Sequence, residues 1–185
     1  MAAAAALKER FQVFINGEVI PLEHLLEAGG EAAEKAMADL KARAKELGLW
    51  ALGHPAEIGG GGLPFMDFVY MNEVIGRSWY GQQAVGSISM QDSIMLHRYG
   101  SQMQKERWLR PLVDGDIYPS VGLTEPEVAG SDPTLMRTTA VLDGDEWVIN
   151  GHKWFTSGAN IAAFTTVFCE TEPQQRKHAK FSSII

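Results

Sequence analysis

The residues able to do chemistry lie in two short runs. The first is Leu123-Thr124-Glu125-Pro126-Glu127-Val128-Ala129-Gly130-Ser131-Asp132. The second, Asn150-Gly151-His152-Lys153, starts 18 residues after Asp132 and leads into Trp154-Phe155-Thr156-Ser157-Gly158. A strand ending in Gly122, Leu123 and Thr124 offers backbone N–H donors and one hydroxyl, and Pro126 turns the chain away from it. Gly130 permits close backbone approach, and Ser131 with Asp132 supplies polar groups at the turn. Trp154 and Phe155 have the surface to cover a flat heteroaromatic ring, with Thr156 and Ser157 at its edge. The same residues also describe a polar turn beside a hairpin whose aromatics are packed inside. Residue types alone do not separate the two.

The elements that must position these runs change character near residue 116, so residues 1–116 read as an all-α domain and 117–185 as a β domain. In Glu31 to Leu47, Ala33, Met37, Leu40, Ala44 and Leu47 recur at helical spacing, and Gly48 follows at the place of a left-handed cap. Gly59-Gly60-Gly61-Gly62 reads as a flexible loop. A phosphate cradle would need a following Gly-Lys-Ser/Thr or a preceding strand, and neither is present. Pro64 opens a helix that runs to Gly76, and a third, largely apolar helix is expected over Gln83 to Arg98. Ser101 with Gln104 has the pattern of a capping box, opening a fourth helix with Trp108 and Leu109 before Pro111.

After Asp114-Gly115 the period becomes two. Ile117 to Leu123, Met136 to Leu142, Phe164 to Cys169 and Phe181 to Ile185 read as strands of an antiparallel sheet. Asp143-Gly144 and Asn150-Gly151 are hairpin signals on either side of Trp147-Val148-Ile149. Glu172 to Lys180 is a polar surface loop. The expected class is α+β, a helical bundle followed by an incomplete antiparallel β domain. A sheet that stops at an apolar edge suggests a fragment or truncated product; a complete small domain ending in an edge strand is the alternative.

The 185-residue chain carries a formal charge of -7, which argues against a nucleic-acid partner but not against an anionic ligand. Cys169 is the single cysteine, so no internal disulfide can form. No apolar run is long enough for a membrane span, and Ala2 to Ala6 reads as a disordered or helical leader, interrupted by charge before it could be a signal core. The cytoplasm is the default compartment. His24, His54 and His97 follow no metal spacing.

Thr124-Glu125-Pro126, Gly130-Ser131-Asp132, Asn150-Gly151-His152-Lys153 and Ser157-Gly158, at these spacings, resemble the acyl-CoA dehydrogenase family. Upstream, Gly48-Leu49-Trp50, Glu73 with Gly76-Arg77-Ser78, and Tyr99-Gly100-Ser101 through Trp108-Leu109 and Pro111-Leu112 resemble it as well. The likeness covers the chain from about residue 11. It implies a helical N-terminal domain, a middle β domain cut short here, and a C-terminal helical domain that is absent. It implies FAD bound by Val121, Gly122, Leu123, Thr124, Gly130 and Ser131 on one side and Trp154, Phe155, Thr156 and Ser157 on the other, with Ser131 also touching acyl-CoA. Electron-transfer flavoprotein as acceptor and a homo-oligomer in the full-length form are implied too.

Two departures, a turn after Pro126 one residue longer than the common form and a Lys153-to-Ser157 stretch one shorter, resemble the branch of the tenth and eleventh members. They leave open whether Trp154 or Phe155 stacks on the ring. The implied reaction is α,β-desaturation of an acyl-CoA with hydride passing to flavin. Its carboxylate base is expected outside this chain, Glu125 being better suited to holding the turn, so no catalytic residue is named. Arg137, Lys153, Arg176 and Lys177 are candidates for the CoA phosphates or for solvated faces. A non-catalytic homologue that binds acyl-CoA or a partner, and an oxidase of the same fold, are the competing readings.

Overall fold

Alanine is the strongest helix former, and the alanine-rich start of the chain builds α1 (Ala2–Phe14). The structure, a computed structural model, describes residues 2–185, and it divides into two compact units between Asp116 and Ile117. The run read as a leader is the first turn and a half of α1, and Ala4 and Leu7 pack against the core. The helix widens into a π turn at Ile15–Val19, passes a 3-10 turn at Ile20–Leu22, and leads to α2 (Glu23–Ala28). In α3 (Gly30–Glu46) the buried residues are Ala33, Met37, Leu40 and Ala44, the stripe expected from their spacing. Gly48 sits at φ +60, the left-handed geometry that ends such a helix at little cost for a residue without a Cβ.

These elements and α4 (Phe65–Ile75) enclose one apolar cluster containing Phe11, Phe14, Ile15, Met37, Leu40, Phe68, Met71 and Ile75. Pro64 caps the start of α4 and Gly76 its end. The helix expected over Gln83 to Arg98 is broken into α5 (Gly81–Ala84) and α6 (Met90–Tyr99). Gly86 lies between them at φ +69, where a Cβ would come within 2.6 Å of the Trp50 ring, so the chain must leave the helix to pass over that indole. The Ser101–Gln104 capping box forms as expected at α7 (Gln102–Gln104). The helical path then continues through a π turn at Lys105–Leu109 into α8 (Arg110–Asp114), with Pro111 in its first turn. Proline lacks the N–H and crowds the preceding turn, and a widened turn accommodates both.

The glycine run is not a flexible loop. Gly60, Gly61 and Gly62 donate backbone hydrogen bonds to Pro55, Ala51 and His54, and a Cβ on Gly60 would meet the His54 carbonyl at 2.3 Å. The run is glycine because the backbone folds flat onto the 51–55 segment.

The second unit is a five-stranded sheet of β1 (Pro119–Gly122), β2 (Thr139–Asp143), β3 (Glu146–Asn150), β4 (Phe164–Glu170) and β5 (Phe181–Ile184), ordered β1-β4-β2-β3 with β5 also on β4. It is mixed, not purely antiparallel as expected. β4 runs parallel to β1 (Pro119↔Phe164 to Gly122↔Val167) and to β2, and antiparallel to β5. The long connections from β1 to β2 and from β3 to β4 return the chain in the same direction, which period alone does not reveal. β2 and β3 form a hairpin turned by Gly144 and Asp145, with Gly144 at φ +62. Asn150-Gly151 makes no hairpin. Gly151 instead passes so close to Thr138 that a Cβ would lie 2.2 Å from its hydroxyl. Inward alternation holds at Met136, Thr138 and Ala140 and stops at Leu142, which is exposed like Val141 and Trp147 in the projecting hairpin.

Candidate functional site

Two connections carry the expected site residues, and the fold brings them side by side. β1 ends at Gly122, and Leu123 to Asp132 turn away at Pro126; after β3 the chain returns as an extended run from Gly151 to Thr156. The runs are joined in both directions. The Trp154 N–H donates to the Thr124 carbonyl at 3.1 Å, and the Thr124 hydroxyl donates to the Trp154 carbonyl at 2.8 Å. Gly130 packs onto Thr124 so closely that a Cβ would lie 2.8 Å from the threonine methyl. Val121 to Thr124, Gly130 and Trp154 are therefore assembled in one place, through Thr124. Ser131, Thr156 and Ser157 have no hydrogen bond to the others among the described residues. Ser131 and Ser157 are exposed.

The two aromatics are not core residues. Trp154 is 46% and Phe155 84% exposed, their rings edge-to-face with centroids 5.0 Å apart. Phe155 also occupies φ +50, a left-handed backbone that a bulky side chain adopts only when its surroundings impose it. Among the described residues, the backbone N–H groups of Phe155, Thr156 and Ser157 find no acceptor within the chain. Exposed aromatic surface, unspent amide donors and a glycine-lined turn together suit a flat ring with a polar edge.

Beneath this surface lies a polar hub that the sequence shows only in part. The Glu125 carboxylate, 3% exposed, accepts from the Arg137 N–H at 2.7 Å, the Thr138 N–H at 2.8 Å, the Thr138 hydroxyl, and the Lys153 ammonium at 2.9 Å. Burial alone would raise its pKa. The Thr138 hydroxyl, Lys153 and the two backbone donors outweigh that and hold it at about 2. Glu125 is thus an ionised structural anion with its oxygens occupied, consistent with holding the turn and unsuited to accepting a proton from substrate. Glu127 is exposed, 3.7 Å from the His152 ring.

Lys153 is the residue the spacing misplaced. Grouped with surface cations for CoA phosphates, it is 12% exposed in its side chain and committed to the Leu123 carbonyl and Glu125, both at 2.9 Å. Its stem lies over Gly122, with a methylene 3.4 Å from where a Cβ would stand. Arg137 contributes its backbone to the hub and leaves its side chain outside, and Lys177 faces Asp132 at 3.7 Å. A lysine just before two aromatics in a chain with a nearby Thr-Glu-Pro could have signalled the pairing. Thr138 carried no such signal, because it reads as an ordinary strand position.

His54 is a satisfied core histidine. It is fully buried, with Nε2 2.8 Å from the Gly86 carbonyl and Nδ1 2.8 Å from the Ser93 hydroxyl, and burial lowers its pKa. Among the described residues no three potential metal ligands cluster, and no helix is long and apolar enough to cross a membrane.

Comparison with known proteins matches the N-terminal domain of acyl-CoA dehydrogenases to residues 2–116 and their middle domain to residues 120–185. Mouse acyl-CoA dehydrogenase family member 10 is 34% identical over 99% of this chain, and mouse family member 11 is 33% identical over 95%. A solved Mycobacterium abscessus protein assigned as an acyl-CoA dehydrogenase superposes with a TM-score of 0.89 at 36% identity over the whole chain. The chain spans 18% and 24% of the two mouse proteins' length and 50% of the solved one.

Proposed function

Because this chain belongs to the acyl-CoA dehydrogenase family, we propose that it forms the N-terminal domain and flavin-holding part of a dehydrogenase that desaturates an acyl-CoA between its α and β carbons. When bound, FAD would supply the acceptor for the hydride leaving the β carbon. The residues present fit that group. Thr124 and the free N–H groups of Phe155, Thr156 and Ser157 would hold its polar edge, and the exposed Trp154 and Phe155 would cover the ring and exclude water. Val121, Gly122, Leu123, Gly130 and Ser131 would complete the cofactor contacts, with Ser131 turned also to the acyl-CoA. The observation that carries the reading is the reciprocal Thr124–Trp154 hydrogen bonding, which makes one surface of two runs 30 residues apart.

The proton-abstracting carboxylate belongs to another part of the full enzyme. Glu125 is held ionised and enclosed by four donors, so this chain's role is to bind and orient. Electron-transfer flavoprotein, a homo-oligomer of the full-length form and a cytoplasmic location complete the proposal. The occupied state of Glu125 also favours a second reading, a homologue that binds acyl-CoA without turning it over. Titration of FAD into the purified protein separates these from a protein with no flavin role. Saturable quenching of flavin fluorescence with a shifted absorption band is expected, and bleaching of that band by an acyl-CoA in the full-length enzyme would select the dehydrogenase. A protein that takes up no FAD at tens of micromolar sinks both the flavin assignment and the desaturase.

A further inference from the structure

The Glu125–Lys153 pair stands between the two proposed flavin-holding runs and belongs to neither surface. Glu125 is the chain neighbour of Thr124, and Lys153 is the neighbour of Trp154. Each residue is also tied to a further segment: Glu125 to the Arg137 and Thr138 backbone, Lys153 to the Leu123 carbonyl and the face of Gly122. One buried ion pair therefore fixes the spacing of three connections that have little apolar packing of their own.

We infer that Glu125 and Lys153 are positioning residues for the flavin site, a buried electrostatic clamp that sets the Thr124-to-Trp154 spacing without touching the ring. The inference rests on the reading of the preceding subsection and adds to it the device that makes the slot rigid. Three features favour a clamp over general stabilisation. The carboxylate takes donors from two connections besides its own, so it ties three segments together and not two. The lysine stem crosses the end of β1 over Gly122, within van der Waals contact of where a Cβ would stand, at 3.4 Å. The Thr124–Trp154 hydrogen bonds lie directly beside the pair in sequence on both runs. Loss of one charge would leave the other buried and unpaired, which distorts a site more than loss of both.

The test uses the whole chain with FAD as probe, comparing Glu125→Gln, Lys153→Met and the double variant with Met71→Ala, which weakens the apolar cluster of the helical unit. Glu125→Gln is expected to weaken FAD at least 30-fold and to speed amide exchange at Trp154 at least tenfold. Its uncompensated ammonium should also move the flavin potential in the positive direction, since a nearby cation favours the reduced, more anionic ring. The double variant should bind FAD more tightly than Glu125→Gln and lose the potential shift, and Met71→Ala should lower stability with FAD affinity unchanged. Glu125→Gln with affinity within threefold of wild type and unaltered Trp154 exchange overturns the clamp. Equal weakening by Met71→Ala overturns it too, since stability alone would then account for the loss. Wild-type protein that takes up no FAD removes the earlier reading and this inference with it.

Discussion

The two units bury ionisable groups in opposite charge states, and their partners explain why. In the helical unit His54 is enclosed by a carbonyl and a hydroxyl, and burial lowers its pKa. The Gly86 carbonyl can only accept, so Nε2 carries the proton, while the Ser93 hydroxyl, 2.8 Å from Nδ1, itself donates to the Met90 carbonyl at 2.9 Å. In the sheet unit Glu125 is as well hidden, yet four donors, one of them a cation, keep it ionised. Burial by itself does not decide charge; the chemistry of the first ring of neighbours does. The helical unit has an apolar cluster to hold its shape, and its buried polar groups fill in around that cluster. The sheet unit places its connections with a charged hub, because irregular backbone returning beside exposed aromatics leaves polar groups that apolar side chains cannot satisfy.

The sharpest break of this comparison is Glu125→Leu, which strands the Lys153 ammonium. A loss of about 3–5 kcal/mol confined to the sheet unit is expected in denaturant unfolding followed by exchange of unit-specific amides. A loss below about 1 kcal/mol would show that the hub is solvated and the contrast illusory. Acid comes next. The folded pKa of Glu125 is depressed from 4.5 to about 2, so its contribution is present above 4.5 and is lost as pH falls from 4.5 towards 2. That contribution is about 3 kcal/mol. For His54 the folded pKa lies below 6.5, so the folded state binds fewer protons and stability falls as pH drops through 6.5. Asp92, its pKa raised by burial, binds a proton more readily when folded and offsets part of this at lower pH. The helical unit should therefore soften at a higher pH than the sheet unit; the reverse order in pH-dependent amide exchange would contradict the assignment.

His54→Leu should cost less than Glu125→Leu, about 1–3 kcal/mol, because it orphans the neutral Gly86 carbonyl and not a charge, Ser93 keeping its bond to the Met90 carbonyl. A larger loss than Glu125→Leu, read from the same unfolding curves, would reverse the comparison. The smallest effect is His152→Ala. His152 and Glu127 are both exposed, 3.7 Å apart, and removing the ring should change stability by about half a kcal/mol or less and FAD titration not at all.

Much of the architecture was legible in residue spacing. The buried stripe of α3, the left-handed Gly48, the capping box at Ser101 and the division into helices followed by strands are consequences of neighbours a few residues apart. Elements that depend on distant partners were not legible. Gly86 breaks a helix because of Trp50, Gly60 and Gly61 lie flat because of segment 51–55, and Gly151 is glycine because of Thr138 and not for a turn. The parallel pairing of β4 was hidden for the same reason: alternation records which face is buried and not which way the neighbouring strand runs. In the candidate site, Thr124, Trp154 and Phe155 were proposed by type and resemblance, while Lys153 was left between CoA phosphates and a solvated face and Thr138 was read as an ordinary strand position.

By itself the sequence determined the order of helices and strands, the family and the two runs proposed to carry the site. The order follows from local periodicity, and the family and the runs from motifs whose residues and spacing resemble that family's. Tertiary structure alone decided that Thr124 and Trp154 hydrogen-bond to each other, that Glu125 is a buried anion and that Lys153 is its partner. Hydrogen-bond satisfaction and desolvation are properties of what surrounds a group in space, and residues 28 positions apart become surroundings only once the chain has folded.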